Sequence, residues 1–411
     1  MPIDFERIPP RADVPMAPRP SALLWLALLC LALCIGATIT VLSWTGGSPV
    51  ASAWFWLCAV GYPVLGWSFL LAASLAYGHT ALHSALARNW VSEQAEQACH
   101  TAASRPLAIF GYGWRFSSDK EENSLQSLLG GKVESKLRPS GAFPGKDVHA
   151  RWIDVPGEPF YPGNELGEHT RHLAVCDWLI ASLLNDLAEP LADIPWDMSL
   201  HVHLCLQSRL KPERVVKHVR RELYERHPLL KTRVEYDQTL SIFATDAWLD
   251  LQDEKALHLV IAMQLREAIS TLLDAVVAEV GTALLLGEPT SLKGTNVQAL
   301  RLHRPARGEK NEVGNVLGLA SRWGEADTKN LDSMWIQGLP ADDFGEIRRA
   351  ASLQEGTQWR QIEASVGDCA GAGQWLASAL AAANADSTAN PQLVLCAQDN
   401  ELIALVCRKE T

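Results

Sequence analysis

The longest apolar segment of the sequence, residues 20–87, contains no Asp, Glu, Lys or Arg. A charge-free segment of this length accommodates two membrane-spanning helices of about 20 residues each. We expect a transmembrane hairpin over residues 21–78, with its first helix over residues 22–44 and its second over residues 52–77. Between the two, residues 45–49 contain two glycines and a proline and therefore predict a turn.

The charges that flank the hairpin predict its orientation. Arg7, Arg11 and Arg19 precede the hairpin and Arg88 follows it, whereas the turn is uncharged. Basic residues mark the cytoplasmic side of a membrane protein. We therefore expect an inner (cytoplasmic) membrane protein with a cytoplasmic tail over residues 1–20 and both termini in the cytoplasm. A secretory signal peptide is the alternative for the first helix, but the apolar run is too long and a second one follows at once.

Beyond the hairpin, short apolar runs alternate with amphipathic segments. Residues 79–104 are predicted to be a connecting helix or linker that continues the second span. Apolar or alternating runs then predict buried strands over residues 107–114, 200–206 and 257–263. A spacing of three or four between apolar positions predicts helices over residues 169–187 and 212–227.

The same alternation continues to the end of the chain, where an Ala- and Gly-rich helix over residues 371–383 precedes a hairpin over residues 392–408. The Pro- and Gly-rich residues 139–168 predict a long loop or lid. Strands that alternate with helices indicate an α/β layered fold. We expect two similar halves, residues 105–290 and residues 291–411.

Composition and charge exclude several classes of protein. The chain has 411 residues, of which 48% are hydrophobic and 20% are charged, which excludes a disordered protein. Its formal net charge of −11 argues against a general nucleic-acid binder, which has a basic surface. The nine cysteines form no C-x-x-C pair, as is typical of a reducing compartment.

Five segments resemble, in order, the motifs of condensing enzymes, the ketoacyl-synthase branch of the thiolase superfamily. They correspond to an opening strand with a glycine loop, a first helix, a strand that closes the first half, the loop after a later strand, and a strand, glycine turn and alanine-rich helix near the end. These segments are Leu107–Phe116, Glu122–Gly130, Val277–Gly287, Trp335–Glu346 and Ile362–Gly373. The resemblance implies a thiolase-like, duplicated fold with layers in the order α-β-α-β-α.

The resemblance also implies where the catalytic groups belong. Condensing members need a cysteine thiolate at a helix N-terminus and two histidines that stabilise an oxyanion. The nucleophile belongs between the third strand and the strand at Leu257, and no cysteine lies between Cys205 and Cys369. The first histidine position falls near residues 335–337, which contain none, and the second falls on Asp368. We therefore predict a pseudoenzyme without catalytic residues or a cofactor.

Two alternatives keep some of the family's chemistry. One is a membrane-bound acyl transferase or synthase with a rearranged site that uses Cys369, His303 or His258. The other is a regulatory protein that retains an acyl or lipid pocket without a reaction.

A second resemblance concerns the role of such a protein. The run Leu200–His227, followed by Val234–Trp248, is similar to the type VI secretion lipase adaptor family, whose members deliver an effector to the secretion spike. This similarity implies a membrane-anchored adaptor or scaffold that binds a protein partner, an effector of a type VI secretion system. Because condensing enzymes pair through a central strand, the first resemblance also implies a homodimer.

Three sets of residues are candidates for binding a metal ion or a partner. Two sets of residues have the spacing of metal ligands on one face of a helix or strand. They are His169, His172 and Cys176 on a helix, and His201, His203 and Cys205 on a strand. We favour core packing for both sets and predict no metal site. The helix over residues 212–227 has a basic face that predicts an interaction surface at Arg214, Lys217, Arg220 and Arg221. A solvated face is the alternative, and the predicted ligand is either an anionic lipid headgroup or an acidic protein.

Overall fold

The protein was analysed as a computed structural model that describes most of the chain. The described residues are 5–16, 20–44, 52–134, 137–251, 255–273, 276–292, 300–327, 331–351, 356–398 and 400–410. The chain separates into a smaller unit, Asp4–Cys99, and a larger unit that begins at His100.

The smaller unit contains the two apolar helices that the sequence predicts. Helix α1 spans Ala22–Ser43, and the second apolar stretch begins with α2, Ala53–Trp56, passes through a π-helical turn and continues as α3, Tyr62–Ala103. Both are long and apolar enough to cross a membrane. The predicted turn over residues 45–49 lies outside the described residues. Helix α3 continues without a break through Ala103, across the residues predicted to connect the hairpin to the large domain.

The apolar helices contact each other closely at one point. A Cβ atom at Gly36 would lie 2.1 Å from Cγ of Pro63, so only glycine fits there. Further along, the indole N–H of Trp67 donates to the carbonyl of Trp25 over 2.8 Å. An unpaired indole N–H is costly in an apolar environment, and this bond satisfies it. The two helices therefore form an antiparallel hairpin.

The larger unit contains fifteen strands and nine helices among the described residues. The strands are β1 Leu107–Arg115, β2 Arg138–Pro139, β3 Asp147–Val148, β4 Ala150–Arg151, β5 Ser199–Gln207, β6 Lys231–Tyr236, β7 Ala256–Gln264, β8 Val277–Ala278, β9 Val280–Gly287, β10 Leu300–Leu302, β11 Ala306–Glu309, β12 Ser333–Gln337, β13 Gln358–Gln361, β14 Gln392–Gln398 and β15 Glu401–Lys409. The helices are α4 Leu125–Leu129, α5 Glu165–Asp186, α6 Ala188–Ala192, α7 Pro212–Arg226, α8 Ala244–Leu251, α9 Val313–Trp323, α10 Phe344–Ala351, α11 Ile362–Ser365 and α12 Gly373–Thr388.

The main sheet is mixed, and its strand order repeats. In the first half the order is β6-β5-β7-β9-β1, and in the second it is β13-β12-β14-β15-β10. When only these five strands of each half are numbered along the chain, both orders read third, second, fourth, fifth, first; β11 pairs with β15 outside this order. In both halves the fifth strand is antiparallel to its two neighbours. The two groups of strands join through the antiparallel pair β1–β10, and a mixed α/β fold is confirmed.

Helices cover both faces of this sheet. On one face of the first half, α5 and α7 pack on residues such as Val202, Leu204 and Ile261. On the opposite face lies α12, which is buried along nearly its whole length and contacts strands of both halves. The predicted strands over residues 107–114, 200–206 and 257–263 are all observed, and β7 is buried at every position.

One boundary differs from the sequence prediction. The loop over residues 139–168 contains three short strands, and α5 begins at Glu165, four residues before the predicted start at His169. The side chain of Asn164 caps this helix by accepting hydrogen bonds from the backbone N–H groups of Leu166 and Gly167. Asparagine is a strong N-terminal cap, and the apolar periodicity alone does not reveal it.

Candidate functional site

The carboxyl ends of strands from both halves meet at the start of α12. Gln207 and Gln264 end the parallel neighbours β5 and β7 and lie opposite each other in the sheet. Gln337 ends β12, and its amide donates to the carbonyl of Ala370 over 3.4 Å. Ligands of α/β proteins bind at the carboxyl ends of strands. We refer to these three glutamines, together with Glu363 and Asp368, as the strand-end site.

The backbone around Asp368 fixes one wall of this site. Gly367 has a φ of +116°, which favours glycine. The N–H of Asp368 then donates to Val276, and its carbonyl accepts from Ala278, over 2.8 and 2.9 Å. The Asp368 carboxylate pairs with Arg266 over 3.0 Å and accepts from the N–H of Ala370 over 2.9 Å. A carboxylate is therefore held in the position where the resemblance implies the second histidine.

Glu363 occupies the space beneath this turn. One oxygen of its carboxyl group accepts a 2.6 Å hydrogen bond from the backbone N–H of Gly338. The other oxygen is buried and has no hydrogen-bond partner among the described residues. Burial, and then the charge of Asp368, raises the pKa of Glu363. A protonated carboxyl group could donate the missing hydrogen bond to a ligand or a water molecule.

Cys369 is the thiol nearest to this site, and its surroundings disfavour its reactive form. The side chain is buried, and Sγ donates to the carbonyl of Gly367 over 3.2 Å. Burial, and then the carboxylates of Glu363 and Asp368, raises the pKa of the thiol above its usual value. The nucleophilic form of cysteine is the thiolate. These surroundings therefore disfavour the thiolate form of Cys369.

The turn after β6, where the resemblance places the nucleophile, is tied to α12. The carbonyl of Leu240 accepts two hydrogen bonds of 3.0 Å, from the side chains of Gln374 and Trp375. Gln374 also accepts from the N–H of Ile242 over 3.0 Å. Amide and indole groups thus fill the junction between this turn and the helix. These groups supply structure, but they offer no nucleophile.

A buried ionic network positions a residue that contacts the strand-end site. Arg171 lies between the carboxylates of Glu168 and Glu279, and all three side chains are fully buried. Although burial raises the pKa of Glu168, the hydrogen bond and charge of Arg171 lower it overall. The backbone N–H of Arg266 donates to Glu279 over 2.7 Å. The network therefore positions Arg266, whose guanidinium group binds Asp368.

In the first set of candidate metal ligands, His169, His172 and Cys176, two members have other partners. His172 is buried, with Nε2 within 3.0 Å of the carbonyl of Arg266. Burial is the main reason that the pKa of His172 is lowered. Cys176 lies in the apolar core between α5 and the sheet. Within the described ranges, no group of three or more His, Cys, Asp or Glu side chains is placed to hold a metal ion.

In the second set of candidate metal ligands, His203 belongs to an aromatic stack, and Sγ of Cys205 donates to the carbonyl of Gln238 over 3.4 Å. Nε2 of His203 lies 3.0 Å from Nδ1 of His258, and both rings stack on Trp248 at centroid distances of 4.5 and 4.4 Å. Burial lowers the pKa of His203 to about 4 and that of His258 to about 3. His201 and His258 line a cavity of about 440 Å³ at the amino ends of β5 and β7. That cavity lies at the opposite end of these strands from the strand-end site.

The predicted interaction residues lie together on α7. Arg214, Lys217, Arg220 and Arg221 are all exposed, on the side of the helix away from Val219 and the core. The predicted role in an interaction stays a prediction.

The sequence predictions missed two features of the structure. The stack of His203 and His258 on Trp248 joins residues from three separate elements. The network around Arg171 also joins distant segments, but it leaves a sequence signal. Glu168 and Arg171 are charged residues three positions apart, on the apolar face of an otherwise periodic helix.

Comparison with solved structures gives ketosynthases. A type II PKS acyl-carrier protein in complex with its ketosynthase matches with a TM-score of 0.52 and 11% identity, over 74% of this chain and 100% of that chain. The ketosynthase from module 6 of the bacillaene synthase of Bacillus subtilis 168 matches with a TM-score of 0.52 and 9% identity, over 74% and 70% of the two chains. The oxazolomycin ketosynthase domain of Streptomyces albus JA3453 matches with a TM-score of 0.50 and 12% identity, over 74% and 75%.

At these identities the likeness concerns the fold alone. The chain has the thiolase-like fold of condensing enzymes. No protein-family model and no curated protein matches the sequence.

Proposed function

We propose that this chain is a non-catalytic adaptor or scaffold, anchored in the inner membrane, whose condensing-enzyme-like domain binds a protein partner in the cytoplasm. The observation that carries the proposal is the chemistry of the strand-end site. Three amides and a paired carboxylate line the place where the resemblance implies a thiolate and two imidazoles. The similarity to secretion adaptors makes an effector of a type VI secretion system the expected partner.

The electrostatics of the strand-end site support the absence of a condensation reaction. Acyl transfer through a thioester needs hydrogen-bond donors aimed at a developing oxyanion. Asp368 contributes a negative charge at that position, and Arg266, its cationic neighbour, is already engaged with it. A chain with this arrangement retains the fold and can use its surface for binding.

The anchoring part of the proposal rests on the two apolar helices and their flanks. Both helices have the length and composition of membrane spans. The arginines on either side of the hairpin favour a cytoplasmic location for the large domain. A partner would then be recruited to the cytoplasmic face of the membrane.

An acyl transferase with a rearranged site is the second candidate, and the structural neighbours favour it because they are ketosynthases. Its three candidate groups lie in unfavourable surroundings. The Cys369 thiol is buried with a raised pKa. Burial lowers the pKa of His303 to about 4 and that of His258 to about 3. A reaction would require these groups to move out of the core.

The test is to purify the tagged full-length protein from native membranes and to identify bound proteins by mass spectrometry. The adaptor proposal predicts one partner in a fixed ratio to the chain, retained equally by Cys369→Ala. An acyl adduct on a cysteine, together with loss of function in Cys369→Ala, would favour the transferase. A full-length protein that is released from membranes by carbonate would contradict the anchoring.

A further inference from the structure

One face of α7 presents an outward line of cations that ends in an aromatic ring. Arg214, Lys217, Arg221 and Tyr224 follow one another at spacings of three, four and three residues, so they lie along one line of the helix surface. All four are exposed, and Tyr224 is 65% exposed. The opposite face of α7 packs on the core. The line is therefore available for contact.

Much of this positive charge is not neutralised within the protein. In the described part of the chain, neither Arg214 nor Lys217 has a carboxylate within 4.0 Å of its side-chain nitrogens. The contacts of Arg221 with carboxylates are long, 3.8 Å to Glu222 and 3.7 Å to Glu225, and its guanidinium group also lies 3.1 Å from Nδ1 of His218. Three exposed acids are also near this helix: Glu213 and Glu225 belong to α7, and Asp177 and Glu213 line the adjacent groove. Its centre thus remains cationic on a chain whose net charge is −11.

Next to this line lie a groove and an exposed apolar side chain. Between α5 and α7 the groove has a volume of about 510 Å³, and Lys211, Arg214, Lys217 and Arg221 are among its lining residues. Leu229, which follows α7, is 80% exposed. Lys and Arg side chains bind phosphate groups, and the side chains of tyrosine and leucine favour the membrane–water interface. A surface that combines them is typical of contact with an anionic membrane.

We propose that this surface, Arg214, Lys217, Arg221, Tyr224 and Leu229, lies on the membrane and binds the phosphate groups of anionic lipids. The inference rests on the membrane anchoring that we propose above. Each Lys or Arg close to an anionic leaflet strengthens association about fivefold. Tyr224 and Leu229 would insert at the level of the headgroups. The surface then orients the large domain on the bilayer and leaves its other faces to a protein partner.

The connection to the anchor is short enough for this contact. The uncharged segment ends at Ala87, and α3 continues for sixteen residues to Ala103. A helix of that length spans roughly 24 Å. Only three residues separate α3 from β1. The chain thus holds the domain close to the lipid surface at a high effective concentration, where a few charges suffice for docking.

The test uses full-length protein in nanodiscs, with a photo-crosslinking amino acid in place of Tyr224. Tyr161 is the matched control, since it is another exposed tyrosine of the same unit, 74% exposed, and lies outside α7. In discs with about one third anionic lipid, we expect lipid adducts at position 224 and at least about tenfold fewer at position 161. Neutral discs, or the R214E/K217E/R221E background, should reduce the adducts at position 224 by at least about tenfold.

Three results would overturn the inference. These are the absence of lipid adducts at position 224, equal adducts at positions 161 and 224, or adducts that do not depend on anionic lipid. A protein adduct at position 224 in native membranes, without lipid adducts, would assign the surface to a protein partner instead. Co-migration of the protein with the discs separates the two proposals. A chain that does not enter the discs contradicts the anchoring, whereas an inserted chain without adducts contradicts only the lipid contact.

Discussion

At the scale of single residues, the larger unit places several ionisable groups in its interior. Arg171 binds two carboxylates, those of Glu168 and Glu279. The remaining acceptor positions of Glu168 are filled by the N–H groups of Ile269 and Ser270. Buried charges persist only when they are paired and hydrogen-bonded. The network therefore couples α5 to the segment before β8.

We predict that Arg171→Met destabilises the protein strongly. The substitution leaves two buried carboxylates without a counter-charge, and breaking such a pair costs about 3–5 kcal/mol. The control is Arg233→Met, because Arg233 is exposed and pairs with an exposed Glu235. An exposed pair contributes about 1 kcal/mol or less. Denaturant unfolding of both variants in detergent, followed by tryptophan fluorescence, measures the difference. Equal losses would show that the network is not a stabilising centre.

The imidazoles of His203 and His258 predict acid sensitivity. Burial lowers the pKa of His203 to about 4 and that of His258 to about 3, from an ordinary value of 6.5. Below pH 6.5 the unfolded chain therefore binds more protons than the folded chain. The stabilisation is complete above this pH and is lost as the pH falls toward 4, by about 1 kcal/mol per pH unit for each histidine.

The measurement is the free energy of unfolding as a function of pH for the wild type and for His258→Gln. The variant should show a shallower decline between pH 6.5 and pH 4.5. The same substitution at the exposed His149 is the control. Identical slopes for the wild type and His258→Gln would contradict the assignment.

At the scale of elements, α12 is the helix on which both halves depend. Its alanines are buried on every side and allow the strands of the two halves to approach it closely. At its start, a Cβ atom on Gly373 would lie 2.8 Å from the side chain of Gln337, so glycine is needed for that contact. The small residues of α12 therefore set the distance between the halves.

Enlarging an alanine in the middle of α12 should destabilise the fold. Ala381 is fully buried, and Ala381→Leu inserts three carbons into a filled space, at a cost of about 1–3 kcal/mol. On the exposed face of α9, Gly318 has open space around it, so Gly318→Leu should be neutral or stabilising. Thermal unfolding of both variants compares them. A tolerated leucine at position 381 would mean that the core around α12 is loosely packed.

How much the sequence predicts depends on how local the signal is. The buried strand β7 and the periodic helix α7 follow from apolar spacing, and both are observed. The start of α5 was missed because a single cap residue, Asn164, decides it. The ordered motifs located Asp368 and Gln337. They did not reveal the carboxyl group of Glu363 beneath them, because that contact joins residues that are distant in sequence.

At the scale of the whole molecule, a condensing-enzyme-like fold is joined to an apolar hairpin. The strand order repeats within one continuous sheet, and the pair β1–β10 joins its two parts. The strand ends converge at the position where this kind of fold binds ligands. In this chain the convergence carries glutamines and a salt-bridged aspartate. We propose that the condensing-enzyme-like fold serves binding in this chain and that it does not catalyse a condensation.

The most direct test of this account is the mass of the intact full-length protein after incubation with a reactive acyl thioester, compared with that of Cys369→Ala. Because Cys369 is buried with a raised pKa, the account predicts an unchanged mass for both proteins. An acyl adduct on Cys369 in the wild type, absent from the variant and transferred to a second thioester, would contradict it and identify the protein as an enzyme.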